Sequence, residues 1–157
     1  MESIINHITA RMNAVAEGSP WFGLSVKEAL DHIDHVQAVV RINAQHNIAE
    51  ILNHTIQWKK FSLEKTAGDT DFDIVLNSDQ DWKTIDRLTA REWQALRELY
   101  FEINADLVDA IQHIKKDWLD QAVPDRKYNF ADLFHGIIDH DIYHLGQIII
   151  IHKMIKK

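Results

Sequence analysis

Apolar residues recur at three- and four-residue steps along much of the chain, the spacing that lays a stripe down one face of an α-helix. Trp93, Leu96, Tyr100, Ile103, Leu107, Ala110, Ile111 and Ile114 form one such stripe. Thr89 and Glu92 make a capping box ahead of it, so a helix is expected over 89–119, with Pro124 ending the turn that follows. Ile51, His54, Trp58 and Phe61 form another, on a helix expected over 47–65, started by Asn47 and Glu50 and closed by Gly68. Leu133, Ile137, His140, His144, Gln147 and Ile151 form a third, on a helix expected from 129 almost to the end. Lys153, Lys156 and Lys157 there suit the negative end of the helix dipole.

The remaining segments are shorter or less periodic. A first helix is expected over 2–17, stopped by Gly18-Ser19-Pro20. Ser25 and Glu28 cap a short helix reaching about Asp34. Residues 36–43, with Val39, Val40 and Ile42, read as an extended connector. Residues 69–81 carry five aspartates, with Ile74 and Gln80 where a calcium loop needs glycine and glutamate, and so read as a solvated loop. Only five glycines and two prolines interrupt the chain. The expected fold is all-α, an antiparallel four-helix bundle with irregular connectors, and a single domain over 1–157.

Composition narrows the chemistry. A chain of 157 residues can bury one real core, and 46% hydrophobic with 26% charged residues is ordinary for a globular protein. The net charge of -7 offers no basic field for a nucleic-acid backbone. No cysteine is present, which rules out disulfides, thiolate metal sites and a cysteine nucleophile. The start lacks the pattern of a signal peptide, and the densest apolar run, 145–151, is far shorter than a membrane span. A cytoplasmic location is the expectation.

The third stripe is interrupted by His140 and His144. Residues four apart on a helix point the same way, about a turn apart, which suits two ligands of one ion. His54 also faces inward on its own helix. Together the three would supply three neutral nitrogen donors, leaving a position for water or substrate, as in a catalytic rather than a structural site. Without cysteine, such a site suits zinc, nickel, iron or manganese. Of the other seven histidines, His32 and His35 read as a solvated face, and neither His135 nor His152 lines up with the pair. Asp139 and Asp141 read as solvated neighbours. Gln147 either hydrogen-bonds near the site or makes a packing contact beside Gly146, and Trp58 and Tyr143 either line a pocket mouth or belong to the core.

His140-Asp141-Ile142-Tyr143-His144-Leu145-Gly146-Gln147-Ile148 resembles the C-terminal signature of the DinB-like superfamily, in its YfiT-type branch of metal-dependent hydrolases and thiol S-transferases. The run from Asn47 to Trp58 resembles the helix carrying that family's first histidine ligand, and Asp81-Trp82 and Glu92-Trp93 resemble its middle section. The resemblance implies a four-helix bundle with a divalent ion, zinc or nickel, on His54, His140 and His144. It also implies a homodimer and a low-molecular-weight thiol cosubstrate, such as bacillithiol, mycothiol or glutathione, acting on a small electrophile. Two competing readings are a non-catalytic bundle binding a metal or small ligand, as in a stress response, and an interaction module whose histidines satisfy one another.

Overall fold

The computed structural model describes residues 3–156. The expected helix start at Glu2 and the closing Lys157 lie outside them. Among the described residues there are six α-helices, one 3-10 turn and no strand, so the protein is all-α. The helices are α1 (Ile4–Glu17), α2 (Val26–Leu30), α3 (His35–Ala38), α4 (Ile48–Ala67), α5 (Ala90–His113) and α6 (Phe130–Ile155).

The starts of the long helices follow side-chain chemistry. Ser3 accepts from the Asn6 amide at 3.1 Å, and Asn129 accepts from the Asp132 amide at 2.8 Å. Asn47/Glu50 and Thr89/Glu92 are complete capping boxes, each satisfying amides that the first helical turn leaves open. Gly68 ends α4 at φ 91°, a left-handed cap that lets the Asp69 amide reach back to the Glu64 carbonyl at 2.9 Å. At Gly18 the limit is space: a Cβ there would meet the Ala14 Cα at 2.8 Å.

Two expected boundaries are corrected. Residues 36–43 are not wholly extended, because α3 occupies their first half. Asp34 accepts from the amides of Val36 and Gln37 at 2.9 and 2.8 Å, and Gln37 accepts back from the Asp34 amide at 3.1 Å. That capping box outweighs the β preference of Val36 and Val39. Helix α5 stops at His113 rather than running to 119. Ile114 turns extended, and the 3-10 turn Lys116–Asp120 brings Trp118 against Phe130, ring centroids 4.4 Å apart, and buries Leu119. Burial of Leu119 and stacking of Trp118 on Phe130 outweigh the propensity of a straight helix.

Helices α1 and α4 each pack against both α5 and α6. Ile8, Met12, Leu52, Phe61, Leu107, Ile111, Phe134 and Ile138 are buried between them. The long loop between α4 and α5 carries two residues inward: Ile74 is 4% and Asp81 2% exposed. Asp81 is therefore not part of a solvated loop. No helix among the described residues is long and apolar enough to cross a membrane.

A candidate metal centre

Helix α4 places His54 opposite His140 and His144, one turn apart on α6. The Nε2 atom of His140 lies 3.0 Å from Nε2 of His54 and 3.0 Å from Nε2 of His144, and donor atoms of all three lie within 4.8 Å of one another. The three residues expected from spacing are brought to one point.

The surrounding groups assign the protons. His54 Nδ1 lies 2.8 Å from an Asp81 carboxylate oxygen and 3.1 Å from the Asp81 carbonyl, both acceptors, so Nδ1 carries the hydrogen. His144 Nδ1 donates to Gln147 Oε1 at 2.6 Å, while the Gln147 amide nitrogen donates to the Tyr143 hydroxyl at 3.2 Å. Both Nε2 atoms are thereby left as bare lone pairs aimed at the third ring. His140 can donate to only one of them, and its Nδ1 is buried with no partner.

Burial keeps the rings uncharged. His140 is pushed down to about 3, by desolvation first and then by repulsion from His144, His54 and Lys59. His54 and His144 are also lowered, chiefly by burial, with Asp81 and Gln147 respectively opposing the shift. Three neutral imidazoles with lone pairs converging is a poor arrangement for a protein interior and a good one for a cation. Two imidazole nitrogens bound tetrahedrally to one zinc lie about 3.3 Å apart, close to the 3.0 Å pairs seen here. The donor set fits a divalent ion.

The loop supplies what lies behind the ligands. Besides orienting His54, the buried Asp81 carboxylate accepts from Trp58 Nε1 at 3.0 Å and from the Asn77 amide at 2.8 Å. Trp82 lies flat on His54, centroids 3.8 Å apart and 7° from parallel, and His46 lies on its other face at 3.8 Å and 11°. His46 Nδ1 in turn lies 3.2 Å from the buried Glu50 carboxylate. Glu50 also accepts from the Arg41 guanidinium and from the Ile85 amide at 2.8 Å. Burial raises the Glu50 pKa, but the Arg41 hydrogen bond and the backbone amides outweigh it and the net shift is downward.

The cluster forms part of the wall of a cavity of about 1040 Å³. Ile51, Trp58, Trp82, Leu133 and Ile137 line it, and Tyr143, Ile150, Met154 and Leu76 stand exposed at its rim. Trp58 and Tyr143 thus take the lining position rather than a plain core one, and Gln147 takes the hydrogen-bonding position. Asp139 is exposed as expected. Asp141 is not: it is 3% exposed, with Lys59 Nζ at 2.6 Å and the Tyr100 hydroxyl donating at 2.8 Å. A residue beside a ligand on the helix points away from it, and here it points into the interior.

Sequence reasoning missed Asp81, Trp82 and His46 as partners of the site. The Glu50 spacing four residues after His46 was a visible signal for an oriented ring, but nothing local shows that a loop 27 residues downstream of His54 folds back onto it.

An all-α protein with a three-histidine cluster opening on a cavity is of a class that could hold a divalent metal ion at the meeting of two helices. The sequence profile of the DinB superfamily matches residues 22–148, and the chain belongs to that superfamily. No curated protein and no solved structure matches it significantly.

Proposed function

We propose that this protein is a metal-dependent enzyme of the YfiT-type branch, holding one divalent ion, zinc or nickel, on His54, His140 and His144. One observation carries the reading: two bare Nε2 lone pairs, their tautomers set by Asp81 and Gln147, converge on the half-buried imidazole of His140 at 3.0 Å. In this reading the long helices form an antiparallel four-helix bundle, one domain over 1–157, working as a homodimer in the cytoplasm.

When bound, the ion supplies Lewis acidity, which lowers the pKa of a coordinated thiol or water at neutral pH. The chain's own residues do the rest. Asp81 and Gln147 hold the His54 and His144 tautomers and ring planes. Trp58, Trp82 and Ile137 keep bulk water from the inner end of the cavity. With no cysteine in the chain, a reacting sulfur arrives with a cosubstrate, and transfer of a low-molecular-weight thiol to a small electrophile is the first reading.

Hydrolysis is the second reading, favoured by His46. Its ring lines the cavity on the face of Trp82 opposite His54, fixed in plane by Trp82 and in rotation by Glu50, which suits a proton relay through water rather than direct contact with the ion. Metal analysis and anomalous scattering on untagged protein test the ion. Incubating metal-loaded protein with a thiol panel and a general electrophile tests transfer. Absence of any metal-dependent conjugate counts against transfer, and ester and amide panels then decide hydrolysis.

A further inference from the structure

The walls of the cavity have an uneven chemistry. Among the described residues that line it there is no lysine and no arginine. The carboxylates among those described residues are Asp81, already engaged by His54, Trp58 and the Asn77 amide, and the exposed Asp132. Two cations near the site are committed elsewhere. Lys59 is 1% exposed behind the site with Asp141 and Asn104, and Arg41 holds Glu50 and Asp86. From the inner wall to the rim, the surface runs through Ile51, Ile137, Ile151, Ile150 and Met154.

From this we infer that the ligand of the cavity is an uncharged small molecule, with an apolar or aromatic body and a single metal-seeking sulfur or oxygen. The inference rests on the metal reading above and deepens it by fixing the substrate class. A thiolate can be neutralised at the ion. A second anionic group on the same molecule would meet mostly apolar side chains, the neutral amides of Asn43, Gln45 and Asn77 and the Asp132 carboxylate, with no lysine or arginine among the described lining residues to replace its water. Thiols that bear free carboxylates are therefore disfavoured cosubstrates, and electrophiles bearing phosphate or carboxylate are disfavoured partners. The indole of Trp58, whose ring lines the cavity, suits an aromatic or alicyclic body.

The test uses the full chain loaded with cobalt(II), whose visible spectrum reports thiolate binding. Three probes of common shape are titrated: phenylmethanethiol, 4-(sulfanylmethyl)benzamide as an uncharged size control, and 4-(sulfanylmethyl)benzoate. The two uncharged thiols are expected to bind at least about tenfold more tightly than the carboxylate, a difference of about 1.4 kcal/mol. In Met154→Lys, which adds a cation at the exposed rim, the carboxylate is expected to regain most of that factor while the uncharged thiols change little. Equal or tighter binding of the carboxylate in the wild-type protein overturns the inference, as does failure of all three to perturb a stoichiometric cobalt spectrum. If cobalt does not load, the metal reading fails by itself. The same probes, titrated against tryptophan emission of the metal-free protein, then decide the ligand class by the same criterion.

Discussion

Asp81 reaches across from the loop between α4 and α5 to place a carboxylate oxygen 2.8 Å from Nδ1 of His54, with both side chains almost fully buried. The contact fixes which nitrogen of His54 carries its proton, and so which one is free to bind an ion. It also ties a long connector to the floor of the cavity.

Replacing this carboxylate separates orientation from ligation. Asp81→Asn keeps the size and can still accept from Nδ1, whereas Asp81→Ala leaves His54 with the carbonyl alone. Divalent-ion affinity is expected to fall about 10–100-fold in Asp81→Ala, and by less in Asp81→Asn, as read by competition with a metal-sensitive dye. Unchanged affinity in both variants would mean that the carboxylate serves only to fold the loop.

His140 is half-buried, with its Nδ1 buried and unpartnered and its ionised form strongly disfavoured. A residue kept for stability would not be left so. His140→Leu is expected to abolish one-to-one binding of zinc or nickel. The metal-free variant should match or exceed metal-free wild type by up to about 1–2 kcal/mol in urea unfolding. A marked loss of stability would identify His140 as a core residue and weaken the metal reading.

The histidine cluster also sets a pH dependence for the metal-free protein. Folding lowers the pKa of His54, His140 and His144, so between the folded and ordinary values the unfolded chain holds protons that the folded chain does not. Stability is then highest above the ordinary value of about 6.5 and falls as pH drops through it. For His140 the loss continues toward about 3, with a slope of up to about 1.4 kcal/mol per pH unit. Thermal unfolding in a chelating buffer from neutral to acid pH measures this. The fall should be shallower in His140→Leu, and an identical slope would show that other groups control it.

Behind the ligands, Lys59 and Asp141 form a buried ion pair at 2.6 Å, joined by Tyr100 and Asn104. Lys59→Met leaves the carboxylate without its cation and is expected to cost about 3–5 kcal/mol. Combining Lys59→Met with Asp141→Leu should cost less than the single change, because no unpaired charge remains. Denaturant titration of both variants provides the measurement, and a double variant at least as damaged as the single would show that shape, not charge pairing, governs this layer.

The pattern of apolar steps made most of the helices legible, and the capping residues Asn47, Thr89 and Asn129 marked their starts within a residue. Helix ends were harder. The step at His113 is decided by where Trp118 and Leu119 find cover, which no window of residues 89–119 contains. The reverse error at 36–43 came from weighing β-branched side chains above the Asp34/Gln37 box.

By itself, the sequence determined that the chain is helical, that cysteine chemistry is absent, and that His54, His140 and His144 face inward on two helices. Those properties follow from period, composition and cap spacing, all of them local. The tertiary structure alone decided that the three Nε2 atoms meet, that Asp81 and Trp82 close on His54, and that Asp141 turns inward to Lys59. Such contacts join residues 27 to 86 positions apart, and their geometry is set by how the helices and the loop pack, which short-range spacing does not encode.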